Sequence, residues 1–271
     1  MRVLFHVGAT LADDVLAWVR PIIQHAAQSL TLVSSGHAAA HGQLAAAHQL
    51  LQLPPDLPTD VLVVDGDEPT AIQAAVAQQP YDLVMLERLP ASHHGTRGRQ
   101  PSGGPRPAPS VLRIHGQLRP IRHVLLASGG DFHTFETASI TARAVAPLGA
   151  RATLMHVIPP EALVFAGFGA RRISIEQFLS STSVAAVTLR DAAATLERRG
   201  VATRIDGRAG PILEELLEEL DTGQYDLLAI GAQRVESPLS RILYEDIAAD
   251  LLELSPIPVL VAKGMPAIAA E

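Results

Sequence analysis

Few residues in this chain have the type and spacing to do chemistry. Ser128-Gly129-Gly130-Asp131 joins an apolar run to a helical one, and paired glycines in such a turn let backbone N–H groups approach a ligand closely. Asp131 could instead cap the helix that follows. A serine nucleophile would need the strained Gly-x-Ser-x-Gly elbow, which Ser128-Gly129-Gly130 lacks, and no Ser, His and Asp fall in an order that suggests a triad. The 11 histidines include His93-His94 beside arginine-rich sequence, which could attract a transition metal. Such a site needs roughly three or four convergent ligands, and no His-x-x-x-His helix pair with a nearby acid is evident, so no metal is expected. His6, His123 and His156 fall in or at the ends of strand-like runs and could line the ligand edge of a sheet. Glu214-Glu215 and Glu218-Glu219 have the spacing of a solvent-facing helix stripe, which suits solubility. The single lysine is Lys263, so a P-loop is excluded.

The elements that must position these residues alternate. Short β-branched runs are separated by longer Ala/Leu-rich amphipathic runs, the pattern of βα units on a parallel sheet. Strands are predicted over Val3–Val7, Leu30–Ser34, Val61–Val64, Leu83–Leu86 and Val111–Ile114, then over His123–Ala127, Arg151–His156, Ala202–Ile205, Leu227–Ile230 and Val259–Ala262. Helices are predicted over Ala12–Gln28, Gly42–Leu51, Pro69–Gln78, Phe132–Leu148, Ile173–Arg199 (one long helix ending at Gly200), Pro211–Leu220 and Asp246–Leu254. The two halves repeat one sentence. Asp65-Gly66-Asp67-Glu68-Pro69 leads through a helix to Tyr81-Asp82-Leu83-Val84, and Asp206-Gly207-Arg208-Ala209-Gly210-Pro211 leads through a helix to Tyr225-Asp226-Leu227-Leu228. Between Leu86 and Val111 there is no helical period, only a Pro/Gly-rich stretch that reads as a flexible loop. The Gly-punctuated segment Phe165–Gly169 reads as a surface loop or a lid.

Composition narrows the class. The 271 residues suggest two domains, and 48% apolar with 4% aromatic content suggests cores of Ala, Val, Leu and Ile. A net charge of −7 argues against a nucleic-acid partner. The absence of cysteine removes disulfides and thiolate chemistry. The apolar run Val3–Val7 is too short for a signal peptide, and no stretch of about 20 apolar residues could span a bilayer. A cytoplasmic protein without a membrane partner is expected.

On these residues the chain resembles a tandem universal stress protein. The likeness is strongest from Tyr225 to Gly231, Leu239 to Leu243 and Ser255 to Val261. It implies an α/β fold of two doubly wound domains, 1–117 and 121–271, joined by Gln117–Pro120. Each would be a five-stranded parallel sheet of order 3-2-1-4-5 flanked by helices, the first lacking the helix before its fifth strand. Many members bind ATP or AMP through a glycine, a second glycine soon after, and then a Gly-Ser or Gly-Thr pair. Here Gly231 keeps the first glycine, Arg234 replaces the second in a loop running through Ser237 to Arg241, and Glu245-Asp246 stand at the pair. One carboxylate about 4 Å from a phosphate charge costs on the order of 4 kcal/mol at an effective dielectric near 20. A helix N-terminus returns only about 0.3–1 kcal/mol. An adenine-side Asp aligns with Gly129, and the first domain reads Val7-Gly8-Ala9-Thr10 there, with Glu87 in place of Gly231.

The resemblance therefore implies a stress-response regulatory or protective protein without standard ATP binding. Its candidate ligand residues are Ser128, Gly129, Gly130, Asp131, Val157, Gly231, Arg234, Ser237, Arg241, Glu245 and Asp246. No cofactor is expected as a resident group, and a remodelled ATP- or AMP-binding regulator and a metal-responsive factor remain open alternatives. The two domains are expected to pack as a pseudo-dimer, with a homodimer as a further assembly.

Overall fold

The computed structural model describes residues 1–10, 12–36, 39–87, 108–158, 175–232 and 247–263, apart from the side chains of Phe132 and Lys263. The chain divides into two compact units, Met1–Ile114 and His115–Gly264.

The first unit is a parallel sheet of β1 (Arg2–His6), β2 (Ser29–Ser35), β3 (Thr59–Val64), β4 (Leu83–Leu86) and β5 (Ser110–Arg113). Their order is β3-β2-β1-β4-β5. Helices α1 (Asp13–Ala26), α2 (Ala40–Leu51) and α3 (Glu68–Gln78) cover it. Strands buried on both faces need apolar side chains at successive positions, and Val3, Leu4 and Phe5 are all buried. Asp67 starts α3 by accepting the Thr70 amide at 3.0 Å.

The second unit repeats the plan with β6 (His123–Ser128), β7 (Arg151–Ile158), β8 (Thr203–Ala209), β9 (Leu227–Ala232) and β10 (Val259–Lys263). All pair in parallel in the order β8-β7-β6-β9-β10. Its helices are α4 (Phe132–Val145), α5 (Ile175–Ser180), α6 (Val184–Glu197), α7 (Ile212–Thr222) and α8 (residues 247–254).

The repeated Tyr-Asp now has a physical reason. Asp82 accepts the Arg2 amide at 2.7 Å, and Asp226 accepts the Arg122 and His123 amides at 2.9 and 3.0 Å. Each carboxylate satisfies backbone donors where the first strand of its unit begins, groups that would otherwise be unpaired. The Tyr81 hydroxyl bonds Thr31 on β2 at 3.0 Å. Its counterpart Tyr225 donates to Glu219 and lies against the His123 ring at 4.4 Å.

Three expectations are corrected. The single helix Ile173–Arg199 is two helices, because the Ser183 hydroxyl caps α6 by accepting the Ala186 amide at 3.3 Å, while the Ser181 amide closes α5 on the Phe178 carbonyl at 3.0 Å. Gly200 does end α6, at φ +84°, with the Val201 amide on the Leu196 carbonyl. The strand predicted over Ala202–Ile205 runs instead over Thr203–Ala209, so Asp206-Gly207 lies inside β8, paired with Met155 and His156. A Cβ on Gly207 would stand 2.5 Å from Cδ1 of Ile175, so a side chain there would push the end of the Ile175 side chain aside where α5 meets this strand. The acidic stripe of α7 is not wholly solvent-facing, since Glu219 is buried and Arg208 reaches Glu215, Glu218 and Glu219. The helix expected to be missing before β5 concerns residues 88–107, and the segment Phe165–Gly169 falls within 159–174; both lie outside the described residues.

Candidate functional site

In a doubly wound sheet the carboxyl ends of the strands leave a crevice where the order reverses. In the second unit that crevice lies beyond β6, β7 and β9, and it is a cleft enclosing about 750 Å³ including its open mouth. Ser128, Gly129, Asp131, Val157 and Gly231 line it. Gly130 does not; its place is behind the turn. Arg234, Ser237, Arg241, Glu245 and Asp246 lie outside the described residues, as do His93 and His94. Among the described residues no three His, Asp or Glu side chains converge as metal ligands.

The turn after β6 is built from hydrogen bonds. The Ser128 hydroxyl accepts the Gly130 amide at 3.0 Å and shares a bond with the Thr134 hydroxyl at 2.8 Å. Gly130 has φ +73°, and a Cβ there would meet Ala185 Cβ at 2.7 Å and His156 Cε1 at 2.9 Å. This glycine thus serves the fit of α6 and His156, whereas Gly129 is exposed and faces the cleft. Asp131 caps α4 by accepting the His133 amide at 3.1 Å. The positive end of α4, the natural anchor for a phosphate, therefore already carries a carboxylate.

His156 on β7 donates from Nδ1 to the Ser128 carbonyl at 2.9 Å. Burial lowers its pKa below the usual histidine value, only partly opposed by that bond and by Asp131. The ring is thus held neutral with Nε2 as an acceptor, and it stacks on Phe178 at 5.5 Å. Thr137 donates to the His133 carbonyl at 2.8 Å, and its hydroxyl oxygen lies 3.0 Å from where a Gly231 Cβ would be. Glycine at 231 keeps that hydroxyl in place. Below these polar groups the floor is apolar, formed by Met155, Ile212, Leu216, Ile230, Ile247 and Leu251. The cleft can accept a flat, partly apolar ligand and offer it a ring of hydroxyls and one imidazole acceptor. Thr134 and Thr137 were missed in the sequence, although their i, i+3 spacing on α4 sets them on one face.

The first unit uses the same joint differently. There Ser34, at the β2 position matching His156, donates its hydroxyl to the Val7 carbonyl at 3.0 Å. His6 is buried beside Glu68 at 3.4 Å, and Gln43 donates to the Ala9 carbonyl. Its own side chains thus engage the turn after β1.

A family model described as the universal stress protein family matches residues 120–263. No curated protein sequence matches the chain. Among solved structures, a universal stress protein from Archaeoglobus fulgidus DSM 4304 superposes with a TM-score of 0.60 at 13% identity, covering 96% of each chain. A universal stress protein from Pseudomonas aeruginosa UCBPP-PA14 gives 0.63 at 15% identity, over 97% of this chain and 92% of that one. The cytoplasmic domain of a prokaryotic cation chloride cotransporter gives 0.56 at 12% identity, over 97% and 95%. At these identities the likeness is one of fold. No helix among the described residues is long and apolar enough to cross a membrane.

Proposed function

Because the chain belongs to the universal stress protein family, we propose that it is a stress-response regulatory protein whose second unit takes a nucleoside-sized ligand without a polyphosphate tail. One observation carries this reading: Asp131 already occupies the N-terminus of α4, accepting the His133 amide. In the sequence Glu245-Asp246 add two more carboxylates where nucleotide-binding members carry a Gly-Ser or Gly-Thr pair. The hydroxyls of Ser128, Thr134 and Thr137 and the neutral His156 above an apolar floor suit a base and sugar better than a phosphate chain. Gly129 and Gly231 keep the approach open. Arg234, Ser237 and Arg241 belong to the same proposed site by sequence alone.

Native mass spectrometry of freshly purified protein should show a retained neutral ligand or none. In competition for the cleft, ATP should fail to displace adenosine below about millimolar, a weak affinity of some 4 kcal/mol. Micromolar displacement by ATP would overturn the reading in favour of a remodelled ATP-binding regulator. Glu245→Gly with Asp246→Ser should then improve ATP displacement if charge is the block, and no gain would assign the block to the longer Arg234–Pro238 loop.

The same proposal has the protein act in the cytoplasm, with domains 1–117 and 121–271 packed as a pseudo-dimer through their fifth strands. The short Gln117–Pro120 link supports this by keeping the partner at high effective concentration. Met1–Gln117 expressed alone should aggregate and Ile121–Glu271 should form a homodimer. A monomeric, cooperatively melting first fragment would sink that arrangement.

A further inference from the structure

The second unit also has a concentration of positive charge at the opposite end of its strands, where β6, β7 and β8 begin. Arg119, Arg122 and Arg151 line a depression enclosing about 1160 Å³ with its open mouth, and Arg151 and Arg204 line a neighbouring one of about 710 Å³. All four arginines are exposed, in a chain whose net charge is −7. We propose that this end of the second unit is a binding site for a compact polyanion bearing several phosphate groups, distinct from the cleft at the strand ends.

The fold itself does not require these arginines. In the first unit Ser29 stands opposite Arg2 as Arg151 stands opposite His123, and Asp60 stands opposite Thr31 as Arg204 stands opposite Thr153. One copy of the scaffold thus does without two of the guanidinium groups the other displays. The acids nearby are engaged. Asp226 accepts the two amides of Arg122 and His123, the role Asp82 plays in the first unit, and Asp206 pairs with Arg204 at 3.3 Å.

The lining also selects the partner. Between the arginines lie Pro120, Gly149, Gln224, Ala202 and Thr203, and the one acid of the lining, Asp226, is turned to the Arg122 and His123 amides. A protein interface wants a buried apolar anchor, and a single-stranded nucleic acid wants exposed aromatic faces; neither is here. Planar guanidinium forks grip phosphate oxygens two at a time. His123, which joins the two depressions, senses the field. Burial, Arg151 and Arg204 hold its pKa below the ordinary value, against the Gln224 carbonyl and Asp226.

The probe is inorganic tripolyphosphate, which carries no nucleoside and so does not report on the cleft. Titrated into the full chain at low salt, it should bind saturably and weaken as salt rises. It should also raise the His123 pKa followed by NMR. Arg122→Gln with Arg151→Gln should weaken binding at least about tenfold. Arg20→Gln with Arg198→Gln, an equal change of net charge elsewhere, should leave it within twofold. No saturable binding at millimolar tripolyphosphate, or equal losses in the two double variants, would overturn the proposal. Adenosine binding should be untouched in every case, so failure here leaves the reading of the cleft standing.

Discussion

Gly130→Ala tests whether the turn after β6 is held by conformation alone or by fit. Two glycines of the second unit share a left-handed backbone, Gly130 at φ +73° and Gly149 at φ +68°, but nothing lies within 4 Å of a Cβ built on Gly149. Placing a Cβ in the left-handed region costs about 1–2 kcal/mol, and Gly149→Ala should show that amount only. At Gly130 the new Cβ would also stand 2.7 Å from Ala185 Cβ and 2.9 Å from His156 Cε1. Overpacking of this kind adds about 1–3 kcal/mol, because α6 or the His156 ring must shift. At roughly 3 °C per kcal/mol for a unit of this size, the melting temperature should fall by about 5 °C for Gly149→Ala and about 10 °C for Gly130→Ala. The assay is far-UV circular dichroism of the full chain, with the single tryptophan, Trp18, reporting the first unit by fluorescence. Equal penalties at the two positions would refute the reasoning and make φ the whole reason for glycine at 130.

Tyr225→Phe removes a buried hydroxyl that donates to Glu219, and should cost about 1.5–3 kcal/mol in chemical denaturation because the acceptor is charged. Tyr81→Phe should cost less, about 0.5–1.5 kcal/mol, since the Gln79 amide already reaches Thr31 at 3.2 Å. Asp226→Ala should lower stability by about 1–3 kcal/mol by stripping two backbone amides of their acceptor. His156 and His123 are both held below the unfolded histidine value of 6.5, so the unfolded chain binds more protons between their folded pKa values and 6.5. Stability from these groups is therefore full above 6.5 and declines as pH falls through that window; thermal melts of His156→Gln between pH 7.5 and 5 should show a shallower decline than the parent, and an unchanged slope would refute the assignment.

Strand positions could be read from the sequence because each is a short run with clear breaks, most of them strongly apolar; Leu83–Leu86 agrees at both ends. What failed did so where tertiary contacts decide. Asp206-Gly207 looks like Asp65-Gly66 by letter, yet strand pairing sets Gly66 level with Gly210, because Val64 faces Ser35 as Arg208 faces Val157. The Ser181-Thr182-Ser183 cluster was swallowed by a long apolar period, although serines that cap their own backbone are stop and start signals. Glu219 shares a helix face with Leu216 and Leu220, and Arg208, brought across from β8, together with the Tyr225 hydroxyl makes burial of a carboxylate tolerable. At the site, Gly231 and the Ser128–Asp131 turn were visible as motif remnants. His156 and the Thr134–Thr137 pair gain meaning only when β6, β7 and α4 come together.

One joint recurs in both units: the carbonyl that ends the first strand is tethered by the second strand, through Ser34 in one copy and His156 in the other. Serine is a fastener with a single setting across the physiological range. Imidazole fastens equally well while neutral, but gaining a proton turns its free nitrogen from acceptor to donor. Duplication has thus left one copy with an inert fastener and the other with one whose donor and acceptor pattern depends on protonation. The two copies differ in this tether while strand pairing keeps Ser34 and His156 at matching positions, so one joint has been given two different chemistries on a single chain path.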